Sequence, residues 1–228
     1  MMITRYLRRM SFFVKEEGLF VFLRRIFKKL LSPLIMYENA MFLEKALDDD
    51  IQDYSRKIPV DVSPIVDLQD ERIDLVAELM YRDRRYVEDR IKKGKICFAA
   101  MIDGKLTHCV WLSDSEESIP EIEKVLSLQG KEAYFFNART LKQFRGRGLF
   151  TVSLSEMLRY LKEKRYNRVL CSMARTNIAS LKPHEKTGWR LICFVTYIKI
   201  LFFRKYVFTK KSGEKIHPID PVTGKIEL

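Results

Sequence analysis

Residues 133–164 constrain the fold of this chain more than any other stretch. AYFFNART (133–140) reads as a buried strand, and Gln143-Phe144-Arg145-Gly146-Arg147-Gly148 as a glycine-bearing connection. Leu149–Lys164 follows at once as an amphipathic helix, with Leu154, Leu158 and Leu161 on one face. A strand that turns directly into a helix belongs to a sheet covered by helices, which excludes a helical bundle or a β-sandwich. Other segments agree. Asp70–Met80 and Arg84–Lys93 predict helices, the second stopped at Gly94. ICFAAMI and KLTHCVWL, joined by Asp103-Gly104, predict a hairpin, because both turn residues must reach positive φ. RVLCSM (168–173) predicts a short strand, Asn177–Thr187 a helix ended by Gly188, and Trp189–Ile198 a long apolar strand. Ile58–Leu68, with Pro59 and Pro64, predicts an edge or irregular strand. Residues 113–131 predict a polar loop with a short helical piece around Ile122–Leu128. The expected class is α/β (α+β), a mixed sheet flanked by helices.

The chain is long enough for one sizeable core: 228 residues, 47% hydrophobic, with 15 Phe, 10 Tyr and 2 Trp. Nine Gly and seven Pro exclude a disordered or collagen-like chain. The cysteines at 97, 109, 171 and 193 form no CxxC pair and have no His partners at metal-ligand spacing. A reduced, cytoplasmic protein without a metal site is therefore expected.

The net charge of +12 is concentrated at two places. Residues 1–36 carry eight Lys/Arg against Glu16 and Glu17, and residues 190–215 carry seven against Glu214, so the rest of the chain is balanced. Within the first segment, LFVFLRRIFKKLL (19–31) places Leu19, Phe20, Leu23, Ile26, Phe27, Leu30 and Leu31 at helical period, with Arg24, Arg25, Lys28 and Lys29 on the other face. Gly18 separates it from a weaker helix, and Ser32-Pro33 ends it. Such a helix either lies in an anionic membrane interface or packs its stripe on its own domain. The Phe-rich turn Leu201–Phe203, beside Arg204 and Lys205, would join the same surface. No run of about 18 uncharged apolar residues predicts a spanning helix. Nothing calls for a specific nucleic-acid partner.

The chemistry-bearing motif is the connection after residue 140. Glycines at 146 and 148 relax the backbone. The helix beyond them presents unpaired N–H groups and the positive end of its dipole, an anion cradle suited to a pyrophosphate, to which Arg145 and Arg147 add charge. The loop lacks both the third glycine of a dinucleotide fingerprint and the GK[ST] of a nucleotide-binding loop. A ligand-free strand-to-helix turn is the alternative. Farther on stands Asn177-Ile178-Ala179-Ser180 … His184-Glu185-Lys186-Thr187-Gly188-Trp189. Taken with Gln143–Gly148, in that order and with a helix and a strand between, it resembles the paired motifs of the GNAT superfamily of acyl-CoA N-acyltransferases over about residues 58–208.

That resemblance implies a mostly antiparallel, V-split sheet and an acetyl or short-acyl group passed from acetyl-CoA (or another acyl-CoA) to an amine acceptor. It implies that backbone groups at Thr140 and Leu141 pair with the pantetheine arm, and that Gln143 and the amides of Arg145, Gly146, Arg147, Gly148, Leu149 and Phe150 hold the pyrophosphate. Asn177 and Ser180 would lie along the cofactor. His184 stands where many members carry a proton-donating tyrosine, and an imidazole of ordinary pKa near 6.5 can serve as that acid. Glu132 as base, Asn137 as a water-positioning group, and His108 complete the candidates, whereas Cys171 has no activating neighbour. Residues 1–57 are read as a basic, helical N-terminal extension and 209–228 as a polar tail. A non-catalytic CoA- or polyanion-binding module and an aminoacyl-tRNA-dependent transferase are the other readings. Pairing of the apolar last strands into a homodimer stays open.

Overall fold

The computed structural model describes residues 2–48, 50–54 and 59–228, with the side chains of all of these except 2–9 and Lys29. Two helices, α1 (Met2–Glu17) and α2 (Leu19–Leu31), precede strand β1 (Ile35–Ala46). Then come β2 (Asp61–Ile65), α3 (Ile73–Leu79), α4 (Arg84–Lys92), β3 (Ile96–Ile102) and β4 (Lys105–Ser113). A small pair, β5 (Glu117–Ile119) and β6 (Lys124–Leu126), leads to β7 (Glu132–Thr140), α5 (Leu149–Glu163), β8 (Arg168–Ala174) and α6 (Ile178–Lys186). β9 (Arg190–Ile200), β10 (Phe203–Thr209) and β11 (Lys215–Ile216) close the chain. The expected start of the second strand at Ile58, and the 57/58 boundary, lie outside the described residues.

Local chemistry accounts for the element ends. Asp103 (φ 47°) and Gly104 (φ 72°) form the β3–β4 turn as the Asp-Gly pair predicts. The Asp83 carboxylate accepts from the Tyr86 N–H at 3.0 Å and starts α4. Asn177 does the same for α6 through the Ser180 N–H at 3.2 Å.

The main sheet runs β11-β10-β9-β1-β8-β7-β4-β3-β2. Among the described residues of this sheet only β7 and β8 are parallel, and their register lasts from Glu132 opposite Arg168 to Phe135 opposite Cys171. Beyond that point each follows its outer neighbour: β7 stays on β4 as far as Thr140 opposite His108, and β8 stays on β1 as far as Ala174 opposite Ala40. The sheet therefore splits into a V. A bulge marks the β7 arm, since Trp111 faces Phe136 and Cys109 faces Arg139, leaving Asn137 and Ala138 opposite Val110 alone. Asn137 takes the left-handed φ of 52° that this extra residue requires.

Alternate residues of the central strands feed two cores. Met41, Leu43, Phe135, Val169 and Cys171 meet Leu154, Met157, Leu158 and Leu161 of α5, as that helix's periodicity predicts. Burial of each such side chain is worth roughly 1.5–3 kcal/mol. Phe42, Tyr134, Leu170, Val195 and Tyr197 fill the opposite face with Ile119, Ile122 and Leu126.

Three expectations are corrected. The N-terminal segment is not helical throughout: β1 sits inside the sheet between β8 and β9. The helical piece around Ile122–Leu128 is instead the return strand β6. Glu123, at φ 50°, turns the chain there because its carboxylate accepts from Tyr197 Oη (2.6 Å), Lys199 Nζ (2.6 Å) and Arg204 Nε (3.0 Å). The tail is no free appendage either, since Ile226 is fully buried and its N–H donates to the Val125 carbonyl at 2.8 Å.

Candidate functional site

After β7 the chain makes one short turn (142–144), then passes Gly146 (φ 76°) and Gly148 (φ 80°) into α5. Both φ values lie where L side chains are strained. A Cβ on Gly146 would meet nothing within 4 Å, so that glycine serves conformation rather than close approach. No side chain caps α5, whose first N–H groups are thus left for another acceptor at the positive end of the helix dipole. Thr140, Arg145, Gly146, Gly148, Leu149, Phe150, Asn177 and Ser180 share one cleft of about 650 Å³ with Lys182 and Lys186. Lys182 has no sequence signal and Lys186 reads only as part of the helix stop before Gly188, because only the packing of α6 beside the loop brings both to the cleft.

Three expected residues do not join the cleft. Leu141 donates its N–H to the Thr107 carbonyl at 2.9 Å and packs under α3 and α4, so that amide is not free for a pantetheine arm. Gln143 is exposed on the turn. Arg147 lies over the Phe144 ring, 5.2 Å from its centre.

The end of α1 rests on the same loop. Glu17 accepts from Arg145 Nη2 (2.5 Å) and Nη1 (3.2 Å) and from Arg139 Nη2 (3.1 Å), while Glu16 accepts from the Lys142 N–H (3.2 Å). The hydrogen bonds from Arg145 hold the Glu17 carboxyl below the usual carboxylate range. Two carboxylates thus sit at the lip of an anion cradle, a contact across more than 120 residues with no local sequence signal.

His184 is fully buried among Phe135, Phe150 and Trp189, with ring centres 5.5, 5.5 and 4.7 Å away. Its Nδ1–H donates to the Ser180 carbonyl at 2.8 Å, leaving Nε2 buried without a partner among the described residues. Burial pushes its pKa down to about 4, so at neutral pH it is an uncharged core group. It lines neither cleft, so the geometry lends no support to the proton-donor role expected of it. His108 lines the cleft and shares a 2.8 Å hydrogen bond with Thr140 Oγ1, but burial lowers it to about 3.

Glu132 is corrected as well. It stands at the closed end of the V, held by Arg168 Nη2 at 2.6 Å and by the Gln129 N–H at 2.9 Å, eight residues along β7 from Thr140. Its carboxylate ties β7 to β8 and lines neither cleft, which gives the expected base role no support. Cys171 is buried with its thiol raised well above the usual value.

A second cleft, of about 530 Å³, opens on the other side of the V and meets the first at Ala138, Asn177 and Ser180. Asn137 lines it. In the amide orientation that satisfies both groups, Asn137 accepts from Arg90 Nη2 at 2.9 Å. Arg90 lies over Tyr86, Trp111 and Phe136 at 4.4, 5.0 and 5.0 Å. Tyr134 shares a 2.6 Å hydrogen bond with Ser172 where the strands begin to part, and burial raises its pKa, so its hydroxyl stays protonated. Glu38, Glu117 and Glu121 also line this side. Sequence periodicity gives Tyr134 and Phe136 a common strand face; it gives no hint of Arg90 beneath them.

No model of a known protein family matches the sequence, and no curated protein does. Solved structures do match. A functionally unknown conserved protein from Staphylococcus epidermidis superposes with a TM-score of 0.50 at 12% identity, covering 76% of this chain and 66% of its own. A GNAT-family protein from Novosphingobium aromaticivorans gives 0.49 at 13% identity, with coverages of 70% and 62%. A predicted acetyltransferase from Clostridium acetobutylicum, solved with acetyl-CoA, gives 0.41 at 13% identity, with coverages of 57% and 90%. The chain spans 57% to 66% of the first three structures it matches. With its single parallel pair, V-shaped split, β7 bulge and glycine turn into α5, the chain has a mixed, mostly antiparallel V-split sheet flanked by helices, a fold similar to that of the Staphylococcus epidermidis protein.

Proposed function

We propose that this protein is an N-acyltransferase that moves an acetyl or other short acyl group from acyl-CoA to an amine. The observation that carries the reading is the meeting of two clefts at Ala138, Asn177 and Ser180, in the mouth of the split sheet. One side suits a phosphate-bearing donor: the uncapped N-terminus of α5, Arg145, Lys182 and Lys186 would hold the pyrophosphate. The other side, where Glu121 is exposed beside the ion-paired Glu38 and Glu117, suits an amine acceptor. Between them the β7 bulge takes backbone N–H groups out of the ladder, and such a group can polarise a carbonyl oxygen as negative charge develops on it.

Acyl-CoA, when bound, supplies an activated carbonyl and a thiolate leaving group. The chain's own work is to hold the donor, orient the amine and manage two protons. Tyr134, protonated and hydrogen-bonded to Ser172, supports the donor role that a buried, neutral His184 does not fill. Glu121 is exposed on the acceptor side and supports proton removal from the amine, whereas Glu117 is engaged by Lys95 and Glu38 by Lys28.

The test is thiol release from acetyl-CoA in the presence of an amine panel, with calorimetry for coenzyme A alone. Gly148→Glu places a carboxylate at the cradle and a side chain at φ 80°, so CoA affinity should fall by more than about tenfold. Unchanged affinity rules out the cofactor cleft. The burial of His184 favours a second reading, a CoA-binding module without turnover, which predicts tight CoA binding and no thiol release with any amine.

A further inference from the structure

Helix α2 turns its apolar stripe outward. Leu19, Phe20, Leu23, Ile26, Phe27 and Leu30 recur at helical spacing and are all exposed, Phe20 by 79% and Phe27 by 64%. The contact that holds α2 to the molecule is made by its other side. Phe22 packs on Phe13 at 5.8 Å, Phe13 packs on Tyr81 at 5.0 Å, and Arg25 covers Phe13 at 5.3 Å. An amphipathic helix that packed its stripe on its own domain would show the reverse arrangement.

The exposed surface does not end with the helix. Leu34 follows it and accepts the Leu201 N–H at 2.6 Å, and Ile35 pairs with Ile200 across β1 and β9. The β9–β10 turn extends the patch with Leu201, Phe203 and Phe202, the last 93% exposed. Segments 165 residues apart in sequence thus build one continuous apolar surface. Contiguous exposed patches of this kind mark an interaction site rather than the scattered apolar residues of an ordinary surface.

We propose that this surface docks on an anionic lipid bilayer, with α2 lying in the interface plane and the Phe202 turn inserted beside it. Charge decides the occupant. Arg24 flanks the stripe on α2 and Lys205 flanks the turn, both exposed, while Lys28 and Arg204, also exposed, are ion-paired with Glu38 and Glu123. The two segments carrying the patch also hold the whole net positive charge of the chain. A second copy docked on this face would set these cations against their own kind, whereas anionic headgroups neutralise them. Among the described residues no helix is long and apolar enough to cross a membrane, which fits a helix that rests on the bilayer.

The experiment is co-sedimentation of the full chain with phosphatidylcholine vesicles and with mixed phosphatidylcholine–phosphatidylglycerol vesicles. Binding is expected to the mixed vesicles and to fall with added salt. The double variant Phe20→Ser/Phe27→Ser and the single variant Phe202→Ser should each lower binding by about tenfold or more, through lost apolar insertion. Arg24→Glu should lower it about tenfold through lost headgroup attraction. All these side chains are exposed, so circular dichroism and thermal melting should match the parent. Equal binding of the parent and Phe20→Ser/Phe27→Ser overturns the proposal, as does failure of the parent to sediment with either vesicle. A dimer in sedimentation velocity that Phe20→Ser/Phe27→Ser dissociates, without vesicle binding, overturns it in favour of a second copy.

Discussion

At the scale of single residues, His184 shows how burial redirects a group that sequence marks for catalysis. Its folded pKa of about 4 lies below the ordinary 6.5, so between these values the unfolded chain binds the extra proton. Stability is complete above about pH 6.5 and falls as pH drops toward 4, by about 1.4 kcal/mol per pH unit for this group. His108, depressed to about 3, adds a second contribution of the same sign. His184→Phe should therefore flatten the acid side of a stability–pH curve measured by urea unfolding while leaving stability at pH 7 near that of the parent. The phenyl ring removes an unpartnered Nε2 from an aromatic pocket. A curve as steep as the parent's refutes the assignment. The glycines at 146 and 148 were legible because positive φ is a local demand. Tyr134, Arg90 and Lys182 were not, since what matters about them is which distant residue they face.

Among elements, α1 contributes something its sequence gave little reason to expect. Glu16 and Glu17 are the only acids in residues 1–36, and both reach the loop between β7 and α5. Glu17 holds Arg145 and repels a second anion at the same place. Replacing it by Gln should tighten coenzyme A binding about fivefold, roughly 1 kcal/mol for a partly exposed pair. Calorimetry on Glu17→Gln checks this, and weaker binding refutes it. The β3–β4 hairpin, α5 and α6 were legible because a turn dipeptide, a 3.6-residue period or a capping glycine marks each of them. β1 was not. IMYENAMFLEKA is buried on both sides of the sheet through Met41, Leu43, Ala40 and Phe42, so it lacks the alternation that announces a strand. The β5–β6 pair was misread for a related reason: three-residue strands are too short to display a period.

The molecule is built on one nine-stranded sheet with cores on both faces, and its C-terminal residues complete one of them. Ile226 is fully buried against the cluster that holds Tyr197 and Leu126. Ile226→Ala should cost about 3 kcal/mol by chemical denaturation, and a loss of a few tenths would show that the segment after β11 is dispensable. The V-split was expected from two short motifs, whereas the path of the ends around it depends on pairings hundreds of atoms apart along the backbone.

The position of β1 has a consequence for how the molecule is made. This strand leaves the ribosome before the other strands of its sheet, yet both of its neighbours, β8 and β9, are more than 120 residues downstream. Until β8 and β9 have emerged, this strand must wait without its partners, and the closing step must span more than 120 residues. Slow acquisition of the native state and a need for protection during synthesis follow from that order. A truncation past residue 34 would not trim an appendage; it would take out the piece on which the last-made third of the sheet assembles.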